Sequence, residues 1–209
     1  MADAADLTPT TNDQSKNLLR KELRQRRRAL TPAQQTQASA LVLRHLLRFP
    51  AFMRGSRIAL YIANDGEVDP APIAQQLWHM GKQCYLPVLR PGAERELWFV
   101  EFTPNTQLIP NRFGIPEPDH GVAHKLPSHL LDVVLMPLVG FDRNGSRLGM
   151  GGGFYDTTFA FKRDKPQGKP LLIGLAHSCQ EVEELQVDNW DVPLAAIATE
   201  KEILKISHL

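Results

Sequence analysis

The sequence has no run of about 18 uninterrupted apolar residues, so no segment reads as a membrane-spanning helix. Residues 1–15 lack the basic and then apolar order of a signal peptide, which leads to the expectation of a cytoplasmic protein with no membrane partner. Cysteine is scarce. Cys84 and Cys179 are far apart and form no Cys-x-x-Cys pair, against a zinc ribbon or a thioredoxin-type centre and in favour of reduced thiols. Aromatic residues make up only 7%, and none lies in the most basic segment, where a single-strand nucleic-acid binder would place stacking rings. Two phosphate-loop signatures are also missing: there is no Gly-x-x-x-x-Gly-Lys-Ser/Thr, and a Gly-x-Gly-x-x-Gly register begun at Gly149 fails at Phe154.

What remains is an ordinary globular composition, 43% hydrophobic and 22% charged, in a 209-residue chain that can bury a real core. The charge is unevenly placed. Residues 16–28 carry seven basic side chains against the single acid Glu22, a local +6 in a chain of net +1. That asymmetry points to an anionic partner.

Along the chain, residues 1–15 read as a mobile tail, and residues 16–209 as one domain. Leu19 and Leu23 begin a helical period, with Lys16, Arg20, Arg24 and then Arg27 or Arg28 forming a stripe on one face. Thr31-Pro32 with Gln34 is a capping-box pattern, opening a second helix to about Leu47. Strands are expected at 57–62, 83–89, 96–102, 131–136, 171–176 and 195–199, with helices at 70–80, 153–161 and 177–185. Residues 103–129 read as a long irregular connection. Strands alternating with helices give an α/β fold, an open and largely parallel sheet flanked by helices, with an N-terminal helical pair.

The segment 141–156 (FDRNGSRLGMGGGFYD) lies between an apolar strand and a helix, where ligands bind in open α/β sheets. Gly149, Gly151, Gly152 and Gly153 leave backbone N–H groups uncovered for a phosphate, and Arg147 adds a cationic fork. For Asp156, a helix-dipole role and a magnesium role are equally compatible with the chemistry.

The run Arg147-Leu148-Gly149-x-Gly-Gly-Gly-Phe-Tyr155-Asp156, after Pro137-x-x-Gly140-Phe141-Asp142, resembles the 5-formyltetrahydrofolate cyclo-ligase (5,10-methenyltetrahydrofolate synthetase) family. Further matching stretches are Lys16-x-x-x-Arg20, Gly66-Glu67, 113–118 (FGIPEP) and 188–193 (DNWDVP), so the likeness covers nearly all the chain from Lys16 onward. The resemblance implies ATP as co-substrate, Mg²⁺ as cofactor and a reduced folate as substrate, handled by a monomer with no nucleic-acid partner. Lys16, Arg20 and the loop Arg147, Leu148, Gly149, Met150, Gly151, Gly152, Gly153, Phe154 and Tyr155 would hold the nucleotide. Arg147 and Tyr155 would also take catalytic roles. Ile62, Glu67, Phe113 and Tyr155 would contact the folate, and Asp156 and Asp191 the magnesium. Thr157 stands where many relatives carry Arg, and Ala195 where some carry an acid. The rival readings are a phosphorylated-sugar or CoA-ester enzyme on a similar sheet, and an RNA-binding module built on the basic helix.

Overall fold

A computed structural model describes residues 11–119 and 125–206. The chain order is α1 (Thr11–Arg28), α2 (Pro32–Leu47), α3 (Pro50–Met53), β1 (Arg57–Ala59), α4 (Ala71–His79), β2 (Gln83–Leu89), β3 (Leu97–Phe102), β4 (Leu108–Pro110), β5 (Pro116–Pro118) and β6 (Lys125–Leu126). There follow β7 (Val133–Pro137), β8 (Gly140–Phe141), β9 (Arg147–Leu148), α5 (Phe154–Thr158), β10 (Leu171–Leu175), β11 (Ala196–Ala198) and β12 (Ile203–Lys205). Eight strands form the main sheet in the order β12-β11-β10-β7-β1-β2-β3-β6. The five from β11 to β2 are parallel, and β12, β3 and β6 add antiparallel edges.

The continuous apolar run at β7 is explained by burial on both sides. Val133 and Leu135 pack into the core beneath α2 and α4, whereas Val134 and Met136 pack into the opposite core with Phe99, Phe159 and Leu194. A third cluster, Leu23, Val139, Leu148 and Leu185 with Leu19 against it, fastens α1 onto the β8–β9 hairpin. Here Gly140 is required: a Cβ would collide with the Leu23 side chain. The capping box of α2 is present, with Gln34 N–H donating to Thr31 Oγ1 at 3.3 Å and Thr31 N–H to Gln34 Oε1 at 2.8 Å.

Three expectations need correction. The helix expected from Lys16 already starts at Thr11, so residues 11–15 are helical rather than tail; residues 1–10 lie outside the described residues. The 177–185 segment forms only a 3-10 turn, Ser178–Gln180. Its N–H groups go elsewhere: Val182 donates to Phe141 O at 2.9 Å and Leu185 to Asp142 Oδ2 at 2.9 Å, which draws the segment along β8 in place of an i→i−4 ladder. The irregular connection holds a small antiparallel pair, β4 and β5, and the short edge strand β6, while residues 120–124 lie outside the described residues.

Candidate active site

The carboxyl ends of β1 and β7 define one end of the sheet, and the chain leaving each builds half of the site. Beyond β1, residues Leu60 to Gly66 curve around a cavity of about 440 Å³, closed by Pro70, Ala71 and Ala74 of the following helix and by Phe102. Ile62 and Glu67 both line it. The turn beneath it is tight, with positive φ at Asp65 (54°) and Gly66 (76°). Glu67 is largely buried, and its Oε2 accepts from Asn64 N–H at 3.0 Å. Burial raises its pKa, while the Asn64 hydrogen bond and the Arg27 charge hold the rise back.

Beyond β7, the β8–β9 hairpin delivers the glycine loop. Among the described residues, no backbone N–H from Gly149 to Gly153 donates to another protein group, and residues 149–152 face solvent. Gly151 has φ +90°, and a Cβ there would come within 3.4 Å of the Arg20 guanidinium. The loop is therefore an open row of donors roofed by α1, the geometry of an anion nest. The helix that follows has only five residues, so its dipole adds little to the backbone donors.

The expected cations are present but already engaged. Arg20 Nε donates to Gly149 O at 2.9 Å, and Lys16 Nζ to Asp188 Oδ2 at 2.5 Å. Arg147 is almost fully covered, and its two terminal nitrogens go to Val192 O and Asp156 Oδ1. Its fork thus ties the loop to the 188–193 segment. Asp156 Oδ1 also accepts from Val192 N–H at 3.1 Å. Burial raises the Asp191 pKa, the Asp188 N–H holds the rise back, and the nearby charges of Asp156 and Arg147 act in opposite directions. Two acids from separate segments that feel each other suit a cation. No group of three or more His, Cys, Asp or Glu side chains forms a metal cage among the described residues. Such a pair fits Mg²⁺, which takes one or two carboxylates when substrate phosphates complete its shell.

Tyr155, just after the glycine loop, lies near enough to Glu67 to feel its charge. Its ring stacks on Phe159 with centroids 6.4 Å apart, and burial followed by the Glu67 charge keeps its phenol protonated far into the alkaline range. Phe113 is exposed and away from the cavity wall; its ring meets Phe154 edge-on at 6.1 Å, placing it beside the loop.

Residues 12–200 match the model of the 5-formyltetrahydrofolate cyclo-ligase family. The chain belongs to that family. It is 42% identical over 181 residues to the 5-formyltetrahydrofolate cyclo-ligase of Escherichia coli (strain K12), covering 87% of this chain and 98% of the relative. The Haemophilus influenzae protein of the same name is 43% identical over 183 residues, 88% and 96% of the two chains. The solved Aquifex aeolicus 5,10-methenyltetrahydrofolate synthetase superposes with a TM-score of 0.77 at 30% identity, covering 93% of this chain and 94% of that one. Of the departures from the cyclo-ligase pattern, Thr157 is exposed on α5. Ala195 spends its N–H on Leu172 O and its carbonyl on Ile206 N–H, inside the sheet.

Four residues packed beside this site, Arg27, Asp65, His177 and Asp188, have no site role assigned from the sequence. Arg27 is completely buried, and it shares Asp65 with Arg24 and Arg28. His177 reaches Gly66, and Asp188 holds Lys16. The only sequence signal was the basic density itself, which shows that acids must be near but not which ones. Asp65, Asp188 and Glu22 pair with five of the seven cations of residues 16–28, Asp65 alone with three of them.

Proposed function

We propose that the chain uses MgATP to convert 5-formyltetrahydrofolate into 5,10-methenyltetrahydrofolate, releasing ADP and phosphate. The observation that carries the reading is the open donor row at 149–153 beside Asp156 and Asp191, at the same end of the sheet as the cavity that Glu67 lines. A nest for phosphate and a cavity for a flat polar ring, beyond adjacent strands, suit transfer between two bound substrates.

The chemistry sets the requirements. A formamide oxygen leaves poorly, so ring closure by N10 needs that oxygen phosphorylated first; N10 then attacks the formyl carbon and phosphate departs. Such transfer depends on positioning and charge neutralisation rather than on a protein nucleophile. The loop N–H groups, Lys16 and Arg20 hold the nucleotide phosphates. Arg147 keeps the loop registered against the 188–193 segment. Asp156 and Asp191 would hold Mg²⁺, which supplies neutralising charge between the phosphates when bound. Ile62 offers an apolar wall, and the Glu67 carboxylate accepts from the N–H edge of the pterin. Phe113 sits at the loop side of the substrate. Tyr155, protonated at neutral pH, donates a hydrogen bond near the transferred group.

The test is direct. Purified protein mixed with 5-formyltetrahydrofolate and MgATP is expected to develop methenyltetrahydrofolate absorbance with stoichiometric ADP. Absence of product, or turnover that ignores ATP, would refute the proposal.

A further inference from the structure

We infer that Arg27 and His177 are positioning residues for the folate-side carboxylate: together they hold the 64–67 turn that aims Glu67 into the cavity. The inference rests on the reading that this cavity takes a reduced folate.

The shape of the turn is local, but its placement is not. Asp65 is the one non-glycine residue with positive φ among the described residues, and Gly66 follows it in the same region. Asp-Gly readily takes two successive left-handed residues, and Glu67 N–H closes the turn on Asn64 O at 3.1 Å; where the turn sits is set by its surroundings. The surroundings here are two buried side chains from distant parts of the chain. Arg27, from α1, donates Nε–H to Asp65 O at 2.8 Å and Nη2–H to Asp65 Oδ2 at 2.9 Å. Its Nη1 donates to Leu138 O at 3.3 Å, just past β7. From the opposite side, His177 Nε2 lies 3.1 Å from Gly66 O. A carbonyl only accepts, so Nε2 carries the proton, and burial favours the neutral ring.

Consecutive peptide carbonyls, 65 and 66, are thus each gripped by a separate buried donor. The next residue is Glu67, whose carboxylate has no freedom of its own. Oε2 is fixed by Asn64 N–H, and Oε1 lies 3.7 Å from Arg27 Nη2. Neither Arg27 nor His177 lines the cavity: His177 acts through the turn, and Arg27 both through the turn and on Glu67 Oε1 from behind the wall. The grip extends to the nucleotide side: Gln180 donates Nε2–H to Leu138 O and Val139 O at 2.7 and 2.9 Å, and accepts from His177 N–H at 2.8 Å. Val139 N–H in turn bonds Leu148 O at the foot of the glycine loop.

Arg27 is completely buried, and removing it would leave a cavity and endanger the fold, so the test uses His177. His177→Leu keeps bulk and loses the donor, while His177→Gln places an amide N–H near the Nε2 position. Binding of 5-formyltetrahydrofolate and, separately, of ATP is measured by calorimetry, with melting temperatures alongside. The expectation is about tenfold weaker folate binding in His177→Leu, ATP affinity within about twofold, and recovery of most of the folate affinity in His177→Gln. Folate binding unchanged in His177→Leu, folate and ATP weakened alike, or a Gln variant no better than Leu would each overturn the inference. Failure of the unaltered protein to bind 5-formyltetrahydrofolate would overturn the cavity reading itself, and the positioning role with it.

Discussion

If Lys16 contacts a nucleotide phosphate, it must first leave Asp188. That pair is short, 2.5 Å, and its side chains retain only 13% and 27% of their exposure, so it is neither a solvated surface pair nor a sealed one. Exposed pairs are worth about 0–1 kcal/mol, and breaking buried ones costs about 3–5 kcal/mol. Taking about 1 kcal/mol for the part that nucleotide binding must overcome, Asp188→Asn is expected to tighten ATP binding about fivefold. The substitution preserves shape, and it leaves intact the backbone hydrogen bond from Asp188 N–H to Asp191 Oδ2 at 2.9 Å. Lys16→Ala is expected to weaken binding. The double variant should bind like Lys16→Ala, because Asp188 acts through Lys16. Calorimetric titration of ATP at fixed ionic strength, with and without Mg²⁺, measures all four proteins. Weaker binding in Asp188→Asn, above all with Mg²⁺ present, would show that Asp188 serves the nucleotide complex. Unchanged binding would show that the pair places no restraint on Lys16. Either result refutes the competition.

Two further outcomes are expected. Gly151→Ala forces a side chain into φ +90° and towards Arg20, so ATP affinity should fall by roughly tenfold while the melting temperature moves little, the loop being exposed; unaltered titration curves would remove the loop geometry from binding. At the opposite end of the sheet, burial acts to raise the Asp132 pKa, but Lys169 and the N–H groups of Arg57 and Ser56 outweigh it and hold the carboxyl below its ordinary value. Its contribution to stability is thus present above about pH 4 and lost as pH falls through the lowered value, so the melting-temperature gap between Asp132→Asn and the unaltered protein should be widest near neutral pH and close in acid. A gap that persists in acid would refute the assignment.

The parts of this protein that its sequence determines are those whose physics is local. The Thr31 capping box, the apolar β7 strand and the donor row at 149–153 each depend on residues adjacent in the chain, and each is recognisable in the order of residue types. The helical period of α1 is equally plain, yet it does not name the partners of its charges. Periodicity groups Arg24, Arg27 and Arg28, and says nothing of Asp65, the acid that pairs with all three and buries one of them. Tertiary structure also decided that Arg147 clasps Asp156 and Val192, and that residues 178–185 spend their N–H groups on β8 and Asp142 rather than on a helix. In each case the partner is remote in sequence. A buried polar group must find some partner, but packing alone chooses which one.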